Sequence, residues 1–132
     1  MTNDLATLSI TPPHATLSLN RADARNALSI DLLAAMHARI DEIKVRPDVH
    51  VVILTGAGKA FCAGMDLKQV LGTPGAPLRL LTLLADFCLK LRALSAVTIA
   101  AVNGAAIGGG CGLATVCDLS VTHADSKMGF PE

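Results

Sequence analysis

The residues whose types and spacing could do chemistry lie in two glycine-rich stretches. The first is Gly56-Ala57-Gly58-Lys59-Ala60-Phe61-Cys62-Ala63-Gly64-Met65-Asp66, which follows the apolar residues 51–54. The second is Asn103-Gly104-Ala105-Ala106-Ile107-Gly108-Gly109-Gly110, which follows residues 98–102. Loops at the carboxyl ends of parallel strands are where α/β proteins bind ligands. Glycine lets backbone approach a ligand with no Cβ in the way. A helix starting at Gly109 would turn its free N–H groups and positive dipole end toward that ligand. The chemistry this suggests is stabilisation of an anion or oxyanion by backbone donors. Tight helix–strand packing would use the same glycines, and spacing alone does not decide between the two. Neither stretch is a phosphate-binding Walker loop, because no Gly-Lys-Ser/Thr follows at the required spacing, and Gly108-Gly109-Gly110 lacks the G-x-G-x-x-G dinucleotide pattern.

Such loops need strands before them and helices after them. Residues 51–54, 98–102 and 119–122 predict short strands covered on both faces. Residues 5–10 and 15–19 predict two more, joined by a turn at Pro12-Pro13, with polar residues 20–26 ending the hairpin. Ser29 is placed as an N-cap, and Leu32, Leu33, Met36, Ile40 and Ile43 recur after it at helical spacing. That helix should stop before Pro47. Loops are predicted over 56–64 and 72–77. A second helical stripe follows at Leu80, Leu84, Phe87, Leu91 and Leu94, then a turn over 103–110 and a short helix over 109–116. This order predicts an α/β fold of β-β-α or β-α-β units, with 51–54, 98–102 and 119–122 parallel in one layer.

The 132 residues suit one domain, and the 52% apolar content excludes wholesale disorder. Eleven basic and eleven acidic residues cancel, and aromatics are 2%. A nucleic-acid partner, which needs a basic surplus or stacking platforms, is therefore not expected. Only 17% of residues are charged, below the roughly 25% usual for soluble domains, so part of the surface is expected to be covered. Residues 93–117 carry no charge, long enough to test as a membrane span. Their five glycines argue instead for a buried strand, a glycine turn and a buried helix. The four cysteines, at 62, 88, 111 and 117, lack C-x-x-C spacing and a zinc-type histidine. They read as reduced thiols of a cytoplasmic protein, with no metal site. Asp4 and the absence of a basic start argue against a signal peptide.

Six short stretches together resemble one family. Residues 61–68, Phe-Cys-Ala-Gly-Met-Asp-Leu-Lys, are similar to the first signature of the crotonase (enoyl-CoA hydratase/isomerase) superfamily. Residues 100–111 are similar to its second. Cys117-Asp118-Leu119 and Gly129-Phe130-Pro131-Glu132 resemble the segments that follow, and Asn20-Arg21 and Asn26-Ala27-Leu28 the start of the pattern. The resemblance implies acyl-CoA thioester chemistry on a spiral of β-β-α turns, assembled as a homotrimer or hexamer. It implies no cofactor, because coenzyme A is part of the substrate. It places the oxyanion donors at the backbone N–H groups of Met65 and Gly109. It puts coenzyme A contacts around Ala24, Arg25, Asn26, Ala60, Ala63, Gly64, Asp66, Lys68 and Gly108, with Lys59 and Lys68 near its phosphates.

The family's hydratases use two glutamates. The second matches Glu132, the expected general acid/base. The first falls at Gly112, a vacated catalytic position. Residue 112 is three after Gly109, so on a helix both face the same way. Hydration is the first expectation. A one-glutamate Δ3-Δ2-enoyl-CoA isomerase, a decarboxylase, and a non-catalytic coenzyme A ester binder are the alternatives. His37, His50, His123 and Asp118 are read as structural or exposed. Family members are about twice this length. Residues 1–132 therefore read as the spiral-core half of such a domain, without the C-terminal helical part and the floor of the acyl pocket.

Overall fold

A computed structural model describes residues 2–131; Met1 and Glu132 lie outside the described residues. The first hairpin is β1 (Ala6–Thr11) against β2 (His14–Leu19), antiparallel, with Leu8 opposite Leu17. Next comes α1 (Ile30–Lys44), where Ser29 Oγ accepts from Leu32 N at 3.1 Å and so caps the first turn. β3 (Val51–Gly56) follows, then α2 (Leu67–Gly72) and α3 (Ala76–Ala93). β4 is Val97–Val102, β5 Ala106–Ile107, α4 Gly109–Val116, β6 Leu119–Thr122 and β7 Met128–Gly129. The main sheet has the order β1-β2-β3-β4-β6, and β2, β3, β4 and β6 are parallel. β5 and β7 pair in parallel as a separate small sheet.

The strand order from β2 onward never reverses. Right-handed crossovers in such an order carry every connecting helix to one side of the sheet. On that side Leu17, Leu54, Ala100, Leu32, Met36, Leu80 and Phe87 form the core. The other side corrects the expectation of strands covered on both faces. Val51 and Ile53 are half-buried there, while Val97 is 45%, Leu119 57% and Val121 63% exposed. All four residues of β6 are exposed. No crossover returns over that face, so nothing within the described residues covers it. Its β1–β2 half is polar (Thr7, Ser9, Thr16, Ser18) and its β3–β4–β6 half apolar.

Other boundaries moved in smaller ways. The loop expected over 72–77 ends early, because α3 starts at Ala76 with Pro77 in its first turn, where proline needs no N–H partner. β5, β7 and α2 were not foreseen. Among the described residues no helix is long and apolar enough to cross a membrane, and no group of three His, Cys, Asp or Glu is placed to hold a metal.

The two faces should respond differently to truncation. Leu54→Ala, at a side chain 1% exposed, is expected to cost about 2–5 kcal/mol in urea unfolding with an unchanged m-value. Val121→Ala should cost less than about 1 kcal/mol. Equal losses would contradict the one-sided core.

Candidate active site

A short hook after β2 holds both glycine stretches. The chain makes one 3-10 turn (Ala22–Ala24) and then passes through Arg25 and Asn26, both left-handed at φ 52° and 57°. Asn26 is 0% exposed. Its Oδ1 accepts from Arg21 N at 2.8 Å, and its Nδ2 donates to Ala57 O at 3.0 Å and Ala60 O at 2.9 Å. From the other side, after β4, Asn103 Nδ2 donates to Gly56 O at 2.8 Å and Gly58 O at 3.0 Å. Its Oδ1 accepts from Gly56 N at 3.2 Å. Two side-chain amides thus satisfy the carbonyls of residues 56, 57, 58 and 60, at the end of β3 and in the loop that follows it.

Residues 61–66 run between the hook and residues 105–108. Cys62 N donates to Ala105 O at 3.0 Å and Ile107 N to Cys62 O at 3.0 Å. On the hook side, Ala63 N donates to Arg25 O at 3.0 Å, Leu28 N to Gly64 O at 2.7 Å and Asp66 N to Leu28 O at 2.9 Å. N–H groups of an extended segment alternate sides. Donation by residue 63 to the hook would therefore assign 65, not 66, to the same side. Gly64, at φ 96°, resets the alternation as a bulge does, and Met65 N–H faces away from the hook. Gly108 does something similar at φ 55°. Its own N–H donates to Gly129 O at 2.9 Å, and Gly109 then opens α4 with an N–H no helical carbonyl can reach. Among the described residues neither Met65 N nor Gly109 N has a hydrogen-bond partner. The two segments touch: a Cβ on Gly64 would lie 2.9 Å from Ile107 O and 4.0 Å from Gly109 N.

Of the other expected site residues, Arg25 and Lys59 are exposed and line a cleft of about 460 Å³ with Asp23, Ala60 and Ala105. Ala24 is half-buried at the end of the 3-10 turn. Lys68 is exposed on the first turn of α2, outside that cleft. Asn26 turns its side chain into the loop rather than toward solvent. Asp66 is likewise committed. Its Oδ1 accepts from Lys68 N at 3.0 Å and Gln69 N at 3.3 Å, capping α2, and its Oδ2 pairs with Arg21 at 2.8 Å. Burial pushes its pKa up. The Arg21 hydrogen bond, the two N–H groups and the Arg21 charge together outweigh burial and hold the carboxyl below its ordinary value. Gly112 is half-buried on α4, with nothing within 4 Å of where a Cβ would stand. Glu132 lies outside the described residues.

The remaining reactive groups are engaged elsewhere. Burial pushes the Cys62 thiol up to about 11, so it is protonated at neutral pH and is no thiolate nucleophile. His37 Nε2 meets Leu83 O at 2.8 Å, and its ring stands edge-on to Phe87. Asp118 accepts from Thr98 N at 2.8 Å and from Thr98 Oγ1, tying the start of β6 to β4. Sequence reasoning missed Arg21 and Gln69 as parts of this region. Gln69 Oε1 accepts from Ile30 N at 2.7 Å, which joins α2 to the start of α1.

Comparison with known proteins bears on what this arrangement serves. The family model described as enoyl-CoA hydratase/isomerase matches residues 14–132. The Mycobacterium tuberculosis protein named "Probable enoyl-CoA hydratase EchA14" is 42% identical over 121 residues, covering 89% of this chain and 46% of its own length. The short-chain-enoyl-CoA hydratase of Clostridium acetobutylicum is 39% identical over 120 residues, with the same 89% and 46% coverage. The crystal structure of an enoyl-CoA hydratase from Bacillus anthracis superposes with a TM-score of 0.89 at 33% identity, over 96% of this chain and 50% of that one. The chain therefore spans about half the length of the curated relatives it matches.

The lowered pKa of Asp66 has a pH consequence. The stability it contributes is complete above its unfolded value of about 4 and is lost as pH falls through the lower folded value. The unsubstituted protein should therefore lose more unfolding free energy than Asp66→Asn on going from about pH 5 to about pH 2. Urea unfolding at each pH measures this, and parallel curves would contradict it.

Proposed function

This chain belongs to the enoyl-CoA hydratase/isomerase family, and on that premise we propose that it holds an acyl-CoA thioester with its carbonyl oxygen shared by Met65 N–H and Gly109 N–H. The observation that carries this reading is that both N–H groups lack a partner among the described residues and stand on adjacent segments, each directly after a positive-φ glycine. When a proton leaves or joins the carbon next to a thioester, negative charge collects on the thioester oxygen. Donors already fixed around that oxygen need no reorganisation as the charge grows, and removing one such donor typically costs about 10²–10³-fold in rate.

Arg25 and Lys59, in their cleft beside the loop held by Asn26 and Asn103, suit the phosphates of coenzyme A. The backbone of 60–64 and Gly108 would lie along the pantetheine. Glu132 is the proton carrier in this reading. In hydration, its carboxylate takes a proton from water as the water oxygen bonds to Cβ, and a proton is returned to Cα, so the elements of water add across the double bond. Gly112 favours a second reading. It offers no acid–base group, and one carboxylate suffices to take a proton from C2 of a 3-enoyl ester and return it at C4. Assembly of this chain as a homotrimer or hexamer is a further part of the proposal.

Hydration of crotonyl-CoA, followed at the thioester absorbance beside isomerisation of a 3-enoyl-CoA, tests these roles. Gly109→Pro deletes one donor at a helix position where proline is tolerated, and should lower kcat by about 10²-fold or more. Gly109→Ala, which only crowds the side-chain ends of Leu28 and Leu84, should lower it far less. Glu132→Gln should lose about 10²-fold or more with little change in ester affinity. Gly112→Glu should raise hydration. Full activity in Glu132→Gln would place the acid/base elsewhere.

A further inference from the structure

We propose that Arg21 is a positioning residue that aims the Met65 N–H at the thioester oxygen by acting through Asp66, an inference that rests on the reading of Met65 and Gly109 given above. The bridge between Leu28 and Met65 is isolated, with two hydrogen bonds and no strand on either side to align it. One nitrogen of Arg21 braces both of its ends. Nη1 donates to Ala27 O, next to Leu28, at 3.0 Å, and pairs with Asp66 Oδ2, next to Met65, at 2.8 Å.

The base of Arg21 is itself anchored. Its N–H donates to Asn26 Oδ1 at 2.8 Å, and its carbonyl accepts from Ala24 N at 3.0 Å and Asn26 N at 2.9 Å. The side chains of the pair are only 26% and 12% exposed, so solvent does not freely replace the contact. Asp66 leads out of Met65 and caps α2 with its other oxygen. The direction in which the chain leaves Met65 is therefore set by a carboxylate gripped from two sides. Without Arg21, the peptide that carries the Met65 N–H keeps its bridge bond through Gly64 O, but the chain on its carboxyl side loses the brace. A lysine would bring its charge on a flexible stem with a strongly hydrated, rotatable ammonium, which does not fix the direction of the two contacts as the planar, weakly hydrated guanidinium does.

The test is the carbonyl stretch of ¹³C-labelled butyryl-CoA bound to the whole chain, read by infrared difference spectroscopy. In the unsubstituted protein the band should lie below that of the free ester. In Arg21→Lys and in Asp66→Asn it should move back toward the free value. The double variant should match either single one, because both act along one path. With an enoyl-CoA substrate, kcat should fall about tenfold while KM changes less than about twofold. A general structural role would instead lower both affinity and stability. Should Arg21→Lys fail to fold, Asp66→Asn carries the same test. The proposal is overturned if both variants leave the band where the unsubstituted protein has it, or if the two shifts add, which would mean Arg21 acts through its own field. An unshifted band in the unsubstituted protein would instead overturn the Met65–Gly109 reading itself, and this inference with it.

Discussion

Backbone donors in an extended segment point alternately left and right, and every other feature of this site depends on where that alternation is broken. Residues 61–66 lie between two neighbours and donate to both. A regular strand there would have used the Met65 N–H on the hook. Gly64 shifts the pattern by one residue, so Asp66 makes the hook bond and Met65 does not. Gly108 closes the pairing with Gly129, and the next N–H, at Gly109, falls on the first residue of α4. The site is thus a property of main-chain direction, and the side chains around it serve to keep that direction.

That service has an energetic logic. Met65 and Gly109 are half-buried, and two N–H groups side by side with no partner among the described residues keep that geometry only where something else fixes the chain. Asn26 and Asn103 supply the fixing on the 56–60 side, and Arg21 with Asp66 on the 64–66 side. Each of these side chains is itself held by hydrogen bonds or an ion pair within the protein, which keeps it in place beside the donors.

The sequence disclosed the scaffold more fully than the site. Leu32, Met36, Ile40 and Ile43 lie on one helical face, and Ser29 does cap that helix, because burial and capping are local patterns. The three parallel strands followed from short apolar runs between amphipathic helices. Their open face did not, because whether a strand is covered depends on the path of every crossover and not on its own residues. β5 and β7 are two residues each and α2 only six, too short for a period to register. The eleven glycines stood out, but their φ values did not, and it is Gly64 and Gly108 that turn the donors. Asp66 was expected at the substrate. Its place before a short helix was a readable capping signal, and its pairing with Arg21, forty-five positions earlier, was not.

The most direct measurement is a crystal structure of the protein with a slowly reacting thioester, acetoacetyl-CoA, bound. The account predicts one thioester oxygen at about 2.7–3.2 Å from both Met65 N and Gly109 N, with Arg21 still paired to Asp66. An ester whose oxygen meets only one of the two, or is held by a side chain while both N–H groups stay unpaired, would contradict it.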